Sequence, residues 1–240
     1  MHQVLLLNFA MAEELRGIAM SAGNDWYQWL DGLDFTFQIV DVGGIDTISA
    51  ANQTATVQID LSWGGVSSIG ARSNNVTIAS GTTIENANGG SSGDVINGNG
   101  VANALYGFGG VDSIGGGGGD DTIVGGEAGD WLWGEAGNDQ IFGETGADYI
   151  FGGTGADSLA GGSGDDNISG DADNDWIWGE SGADSINGGD GDDTIFGGEN
   201  DDSIGGNAGN DSLSGDNGND WMWGGDGDDI LNGGEGFDTF

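Results

Sequence analysis

The sequence contains no proline, no cysteine, one histidine and only two basic residues, Arg16 and Arg72, against 41 acidic ones. Without cysteine, neither a disulfide-stapled fold nor a thiolate metal site is available. Binding to nucleic acid is disfavoured because it depends on Lys and Arg at the phosphates. Anionic membranes are disfavoured for the same reason, and no apolar run is long enough to insert across a membrane. The partners that suit this charge balance are cations.

Glycine is abundant, with 54 residues, and a chain rich in glycine and charge is often disordered. The order of the residues argues against disorder here. From Gly89 onward the sequence repeats every nine residues without insertion or deletion. Position 1 is Gly in all seventeen units, position 4 is Gly in twelve, and position 8 is always apolar, from Ile96 to Phe240. Position 6 is Asp in sixteen units, the exception being Asn103.

The repeat predicts an all-β fold, a right-handed parallel β-roll (β-solenoid). Positions 7–9 have strand character, so position 8 faces inward and its neighbours face outward. Positions 1–6 then form a turn in which glycine permits positive φ and lets carbonyls converge. Two units make one coil, one strand in each of two sheets, and unit k stacks on unit k+2 about 4.8 Å away.

Stacking places the position-6 carboxylates in two columns. Like charges about 4.8 Å apart repel by about 3.5 kcal/mol at an effective dielectric of 20. One apolar side chain per unit, at about 2 kcal/mol, does not offset that repulsion. Ca²⁺, a hard ion that takes 6–8 oxygen ligands, offsets the repulsion between the carboxylates. Seventeen units give fifteen k/k+2 pairs (17 − 2), so we expect up to about fifteen ions. No zinc is expected.

The consensus G-G-x-G-x-D-x-U-x resembles the calcium-binding repeat of RTX proteins. The stacking argument predicts as ligands the position-6 carboxylates Asp94, Asp112, Asp121, Asp130, Asp139, Asp148, Asp157, Asp166, Asp175, Asp184, Asp193, Asp202, Asp211, Asp220 and Asp229. The resemblance adds carbonyls at positions 1, 2 and 4, namely those of Gly90, Gly116, Gly117, Gly119, Gly152, Gly153, Gly155, Gly161, Gly162, Gly164, Gly188, Gly189 and Gly191.

Residues 36–88 form a β-rich segment with alternating stretches such as 56–61. They resemble the C-terminal calcium-binding domain of serralysin-type metalloproteases of bacteria. The matching residues are Asp41-Val-Gly-Gly-Ile-Asp-Thr-Ile48, Ile59-Asp-Leu-Ser62, Val66-Ser-Ser-Ile-Gly70, Asn75-Val-Thr-Ile78 and Gly81-Thr-Thr-Ile-Glu-Asn-Ala87. The resemblance implies calcium ligands at Asp41, Gly43, Gly44, Asp46, Thr83 and Glu85, and secretion by a type I system with folding in extracellular calcium.

Two features depart from that family. The sequence has no H-E-x-x-H motif and its only histidine is His2, so we expect no enzymatic activity. The segment that usually follows the repeats is missing, because the sequence stops within unit 17 at Phe240. We therefore expect self-association or fraying at this end, since an uncapped solenoid offers free strand edges. A detached part of a zinc metalloprotease is the alternative.

Three regions are predicted: an N-terminal segment 1–35 with a short amphipathic helix over 3–20, the β-rich cap 36–88, and the repeats 89–240. Tryptophan pairs occupy positions 7 and 9 of units 5, 10 and 15: Trp131/Trp133, Trp176/Trp178 and Trp221/Trp223. Because units 5 and 15 are odd and unit 10 is even, the middle pair should lie on the opposite sheet. The pairs either cover the strand surface or bind a glycan.

Overall fold

The structure of the protein is a computed structural model that describes residues 3–6, 18–19, 24–28, 37–40, 43–62, 64–68, 76–78 and 81–240. All regular elements in these residues are β-strands, which confirms the all-β prediction. Nothing in the described residues forms a helix with the length and apolar character of a membrane span.

The described residues before the repeats form nine short strands: β1 (Gln3–Leu6), β2 (Ile18–Ala19), β3 (Asp25–Gln28), β4 (Phe37–Val40), β5 (Thr47–Ser49), β6 (Gln58–Asp60), β7 (Val66–Ser67), β8 (Val76–Ile78) and β9 (Asn86–Asn88). The repeats form β10 (Val95–Asn99), β11 (Ala104–Gly109), β12 (Ser113–Gly118), β13 (Thr122–Glu127), β14 (Trp131–Ala136), β15 (Gln140–Thr145), β16 (Tyr149–Thr154), β17 (Ser158–Ser163), β18 (Asn167–Ala172), β19 (Trp176–Ser181), β20 (Ser185–Asp190), β21 (Thr194–Glu199), β22 (Ser203–Ala208), β23 (Ser212–Asn217), β24 (Trp221–Asp226) and β25 (Ile230–Asn232).

The repeat strands divide between two parallel sheets, as the two-units-per-coil prediction requires. Among the described residues, sheet A has the order β1-β3-β5-β9-β11-β13-β15-β17-β19-β21-β23-β25, and sheet C has the order β24-β22-β20-β18-β16-β14-β12-β10-β6. A small sheet of β2, β4, β8 and β7 lies beside them. The register is 18 residues, so that Ile96 pairs with Ile114 and Leu132 with Ile150. The chain is therefore a parallel β-roll.

A single column of apolar side chains runs inside each sheet. Every position-8 residue from Ile96 to Met222 is at most 3% exposed, and Leu231 packs partly against this core. The same core continues through Ile48, Ile59 and Ala87, before the repeats. The prediction that position 8 faces inward is confirmed.

The strands are longer than the sequence predicted. In β13, for example, the strand covers positions 7–9 of unit 4 and positions 1–3 of unit 5, so the turn is confined to positions 4–6. Positive φ occurs at positions 2 and 4, as at Gly117 (101°) and Gly119 (97°), and not at position 1. The parallel ladder continues through position 1 because each further residue in it pairs another backbone N–H and C=O.

The segment before the repeats stacks on the same sheets. Strands β5 and β9 continue sheet A, with Ile48 opposite Ala87 and Ala87 opposite Leu105, whereas β6 begins sheet C. The division into 1–35, 36–88 and 89–240 stays a prediction about domain organisation.

The predicted helix over 3–20 is wrong where the structure describes it, because Gln3–Leu6 and Ile18–Ala19 are strands. Residues 7–17 and 20 lie outside the described part of the chain. Strand β1 pairs in parallel with β3 along the edge of sheet A. Pairing with that edge supplies backbone partners over several residues, which overrides the local helical pattern.

The tryptophan prediction is confirmed. Trp131 and Trp221 lie on β14 and β24 of sheet C, five strands apart, whereas Trp176 lies on β19 of sheet A. All three are more than 40% exposed. The pairs therefore decorate both outer faces of the roll.

Unit 17 stacks on unit 15 through backbone hydrogen bonds. The Thr239 N–H donates to the Asp220 carbonyl, and the Met222 N–H donates to the Thr239 carbonyl, both at 2.8 Å. The rings of Phe237 and Phe240 are 91% and 68% exposed. Self-association through this end stays a prediction.

The core column predicts that the free energy of unfolding lost on shortening a core side chain to Ala depends on the position of that side chain. We expect Ile168→Ala, in the middle of sheet C, to destabilise the calcium-loaded roll by about 2–4 kcal/mol, since it leaves a cavity between packed coils. Leu231→Ala, where the side chain is only partly buried, should cost less than half as much. Urea denaturation at saturating calcium measures both. Equal costs would contradict a core that depends on stacking from both sides.

Candidate metal sites along the turns

Each turn delivers its position-6 carboxylate into the interior of the roll. The Oδ1 atom of that Asp accepts a hydrogen bond from the backbone N–H of the position-6 residue one coil earlier. The Asp148 N–H, for instance, donates to Asp166 Oδ1 at 2.8 Å, and the Asp166 N–H donates to Asp184 Oδ1 at 2.8 Å. The result is a continuous ladder of carboxylates along each edge of the roll.

The second carboxylate oxygen, Oδ2, has no hydrogen-bond partner although it is buried. This holds for thirteen aspartates, each at most 3% exposed. An unpaired buried carboxylate oxygen is costly, so a whole column of them is the arrangement expected of oxygens that bind a cation. The thirteen are Asp112, Asp121, Asp130, Asp139, Asp148, Asp157, Asp166, Asp175, Asp184, Asp193, Asp202, Asp211 and Asp220.

Position-1 glycine leaves the space beside each unpaired oxygen open. A Cβ atom at Gly161 would collide with Oδ2 of Asp166 and lie 2.9 Å from the carbonyl oxygen of Gly179, one coil later. The same holds for Gly116, beside Asp121 Oδ2 and the Gly134 carbonyl, and it recurs along the roll. Glycine is thus required here for close approach, which corrects the expectation that it serves positive φ.

Glycines at positions 2 and 4 do adopt positive φ and face carbonyls of the preceding coil. A Cβ atom at Gly153 (φ 109°) would collide with the Glu135 carbonyl oxygen, and one at Gly155 (φ 118°) with that of Gly137. Gly117, Gly162 and Gly189 at position 2, and Gly164 and Gly191 at position 4, repeat this arrangement. A Cβ atom at Gly119 would instead meet the backbone nitrogen of Ala102 and the carbonyl carbon of Val101. Columns of carbonyl oxygens therefore line the turns.

The donor set fits a hard cation. Among the described residues, no three acidic or histidine side chains converge on one point. Each turn instead combines a carboxylate oxygen with backbone carbonyls, and oxygen-only coordination of that kind is what Ca²⁺ uses. The donors present do not match the nitrogen and sulfur ligands of structural zinc sites, and His2 lies outside the described residues.

Burial raises the pKa of the column carboxyls above the ordinary value of 3.8. The pKa of Asp166 rises to about 7 and that of Asp175 to about 8. Loss of hydration is the main cause, and neighbouring carboxylates such as Asp184 beside Asp166 add to it, while the backbone N–H donor opposes it. The metal-free column therefore resists carrying its full charge at neutral pH.

Three position-6 residues depart from the column: the predicted ligands Asp94 and Asp229, and Asn103, which was not predicted as one. Both oxygens of Asp94 accept backbone hydrogen bonds, Oδ1 from Val57 at 2.7 Å and Oδ2 from Gly90 at 2.5 Å. Asn103 accepts the Asn99 N–H at 2.8 Å, while its buried Nδ2 has no partner. Asp229 is only half-buried, and no carbonyl from a later coil lies beside Gly224 of its unit.

The ladder continues into the segment before the repeats. The Asp46 N–H donates to Glu85 Oε2 at 2.8 Å, and the Asp25 N–H donates to Asp46 Oδ1 at 2.8 Å. Gly43 and Gly44 precede Asp46 with φ of 124° and 143°, and Thr83 lies in a shallow cavity near Asn99. Asp41 lies outside the described residues.

Sequence reasoning missed Asp25, which is 2% exposed. The signal was present in the sequence, since Asn24-Asp25-Trp26 repeats Asn219-Asp220-Trp221 of unit 15.

Sequence reasoning also missed a second ladder of hydrogen bonds, on the outside of the turns. There the position-5 side chain accepts the position-5 N–H of the next coil, as from Asp192 to Asn174 at 2.8 Å and from Asn210 to Asp192 at 2.7 Å. Recurrent Asn and Asp at position 5 could have revealed it.

Comparison with known proteins agrees with this geometry. The family described as RTX calcium-binding nonapeptide repeat (4 copies) matches eight overlapping stretches that together cover residues 88–240. Serralysin C of Dickeya chrysanthemi is 34% identical over 85 residues, which is 35% of this chain and 18% of the relative. Serralysin of Proteus mirabilis is 36% identical over 85 residues, 35% of this chain and 17% of the relative.

The chain thus spans less than a fifth of the length of the curated relatives it matches. The family match, in contrast, extends over well more than half of the chain and coincides with the coils that carry the unpaired carboxylates. The chain belongs to the family of RTX calcium-binding nonapeptide repeat proteins.

Proposed function

We propose that this chain is a secreted, non-catalytic structural module whose folding is driven by extracellular calcium. The observation that carries the proposal is the column of thirteen buried carboxylate oxygens without a hydrogen-bond partner. Without metal, folding of each coil removes hydration from a carboxylate and places it beside another carboxylate, with a repulsion of about 3.5 kcal/mol. A calcium ion between the two carboxylates replaces this repulsion with attraction, so calcium binding and folding are coupled.

The ligand assignment follows the geometry of one turn. The Oδ2 atom of each unpaired Asp and the position-1 carbonyl one coil later serve as ligands, and the position-2 and position-4 carbonyls complete the shell. Thirteen unpaired oxygens support about thirteen ions in the repeats, within the fifteen expected from stacking. Asp46 and Glu85 extend the ladder and are the candidate ligands before the repeats.

Secretion is the second part of the proposal. Cytosolic calcium is far below the range that suits extracellular modules, about 10⁻⁴–10⁻³ M. A module of that affinity stays unfolded until it meets calcium outside the cell. The similarity to serralysins supports the same location, and the lack of an H-E-x-x-H motif in this sequence supports a role other than proteolysis.

Two alternative functions each have a specific test. The first is that the chain is part of a zinc metalloprotease, which an H-E-x-x-H reading frame in the DNA upstream of Met1 would establish. The second is glycan binding, favoured by a stacked aromatic quartet on sheet C. There the Trp131 ring lies 4.3 Å from Tyr149 at 10°, and the Trp133 ring lies 6.1 Å from Phe151 at 8°. Glycan binding at saturating calcium that is lost in Trp131→Ala would support this second rival.

Calcium titration tests the main proposal. We expect the protein to lack most of its β signal in chelator at pH 7.5 and to gain it cooperatively at about 10⁻⁴–10⁻³ M Ca²⁺. Circular dichroism measures the transition, and magnesium at the same concentration is the control. A full β signal in excess chelator would contradict the proposal.

Removing one carboxylate should matter most inside the column. Asp166→Ala removes a buried ligand with coils on both sides, so we expect a rise of at least two-fold in the calcium midpoint and a less cooperative transition. Asp238→Ala should change the midpoint little, because Asp238 is half-buried and no carbonyl of a later coil lies beside Gly233. The two midpoints are compared by calcium titration, and equal shifts would argue against stacking as the origin of the sites.

The raised pKa values predict the pH dependence of the metal-free protein. A carboxyl with a pKa of about 7 when folded, as for Asp166, and 3.8 when unfolded penalises folding above pH 3.8. The penalty grows as the pH rises and is complete above about 7. Calcium-stripped protein should therefore show more β structure at pH 5.5 than at pH 8.0, both above the sequence pI of about 4.1. Circular dichroism at the two pH values checks this, and less β structure at pH 5.5 would disprove it.

A further inference from the structure

A groove runs along the outer face of sheet A, parallel to the axis of the roll. Three adjoining concavities form it, and each shares lining residues with the next. Phe108 and Glu127 belong to the first and second, and Glu144 belongs to the second and third. The middle concavity has a volume of about 680 Å³. The groove extends from the strands before the repeats to β19.

The groove results from an alternation of large and small side chains along the sheet. Along sheet A, position 9 reads Tyr106, Val124, Phe142, Ala160, Trp178, and position 2 reads Phe108, Gly126, Glu144, Gly162, Glu180. Every second strand therefore carries small side chains at both positions. Two notches result, one over β13 and a smaller one over β17, two coils or about 9.6 Å apart.

Each notch has one aromatic wall and one acidic wall. Tyr106 and Glu144 line the first, and Phe142 and Glu180 line the second. The rings of Tyr106 and Phe108 stack at 6.2 Å, and Phe108 and Phe142 are 48% and 37% exposed. A carboxylate facing an aromatic ring across a side-chain-sized gap suits a cationic head group, which gains both an ion pair and a cation–π contact.

We propose that this groove binds a polypeptide segment in the polyproline II conformation that carries Lys or Arg at every third residue. Such a helix has three residues per turn and rises about 3.1 Å per residue, so side chains at i and i+3 share one face about 9.3 Å apart. That spacing matches the notches. The segment needs no backbone partners, and aromatic-lined grooves are the surfaces that such helices dock on.

The chemistry of the groove separates this occupant from others. A second copy of the chain does not supply a basic polyproline II segment, because the sequence holds no proline and only two basic residues. A neutral glycan would use the rings and gain little from Glu127, Glu144 and Glu180. The inference rests on the proposed function, under which the roll that carries the groove folds only when calcium binds.

The test uses the full chain at saturating calcium and about 0.15 M salt, where exposed charges are screened beyond about 8 Å. The probe is a blocked peptide of five Arg-Pro-Pro triplets, and binding is measured by titration calorimetry. A second peptide with the same five arginines at every fourth residue is the spacing control. We expect the triplet peptide to bind at least ten-fold more tightly. Equal affinities would overturn the proposal.

Matched variants locate the site. The double variant Glu144→Gln/Glu180→Gln should weaken binding at least ten-fold. Glu135→Gln/Asp171→Asn makes the same change in charge at position 2 of sheet C, with φ of 73° and 74° at the two residues as against 74° and 73° at Glu144 and Glu180. This control variant should bind the triplet peptide with an affinity within two-fold of that of the unmodified protein. Ala160→Phe, which places at position 9 the residue found at Phe142, should fill the second notch and weaken binding.

Circular dichroism of every variant in calcium separates failure of the groove from failure of the fold. In the unmodified protein, a normal calcium-induced β signal without binding of the triplet peptide overturns only the groove proposal, whereas absence of that β signal overturns the proposed function. In the groove variants, weaker peptide binding counts as support only where the β signal is unchanged. Equal loss in the sheet C control would show general attraction to an acidic surface. Binding of a neutral β-linked oligosaccharide that Ala160→Phe abolishes and Glu144→Gln/Glu180→Gln leaves intact would show that the groove is a glycan site instead.

Discussion

The unpaired position-6 carboxylate is the constraint on which the rest of the structure depends. One oxygen of each carboxylate holds the backbone of the preceding coil, as Asp166 does for Asp148, and the other faces a carbonyl of the following coil beside glycine. A single side chain therefore holds the preceding coil directly, and a cation is needed to join its second oxygen to the carbonyl of the following coil. The same arrangement makes the metal-free roll unfavourable, because it stacks buried like charges along each edge.

The thin core explains why the turns decide stability. Each unit contributes one buried apolar side chain, such as Ile150 or Ile168, and that is little to set against the entropy of ordering a chain so rich in glycine. Under the proposed function, calcium ions supply the stabilisation that the core does not. Glycine at position 1 is part of the same solution, since any side chain there would occupy the space next to Oδ2.

Because positions 1, 6 and 8 specify the coil, the residues on the outer faces are free to differ. Position 2 uses this freedom in a regular way, with Glu144 and Glu180 separated by Gly162 on sheet A and Glu135 and Asp171 separated by Gly153 on sheet C. The tryptophan pairs follow a different period of five units. The two faces thus share a backbone and carry different surfaces, an aromatic quartet on one and an acidic, aromatic-walled groove on the other.

The sequence by itself determined the coil, the inward face and the identity of the aspartates that are buried within the repeats. An unbroken period of nine leaves one register in which Ile96, Ile114 and the later position-8 residues share a column, so stacking by 18 residues follows directly. It also determined that the tryptophan pairs occupy both sheets, because strand parity alone assigns them. These features are local or strictly periodic, and a periodic pattern fixes them without knowledge of distant contacts.

Tertiary structure decided the features that depend on neighbours several coils apart. Strands extend through position 3 because parallel pairing continues there, and Gln3–Leu6 is a strand because an open sheet edge offers partners that a helix would not use. The role of Asp25 depends on contact with Asp46, 21 residues away, where the period of nine does not hold. The groove on sheet A likewise depends on residues that are 18 and 36 positions apart lying side by side, and only the stacked coils bring them together.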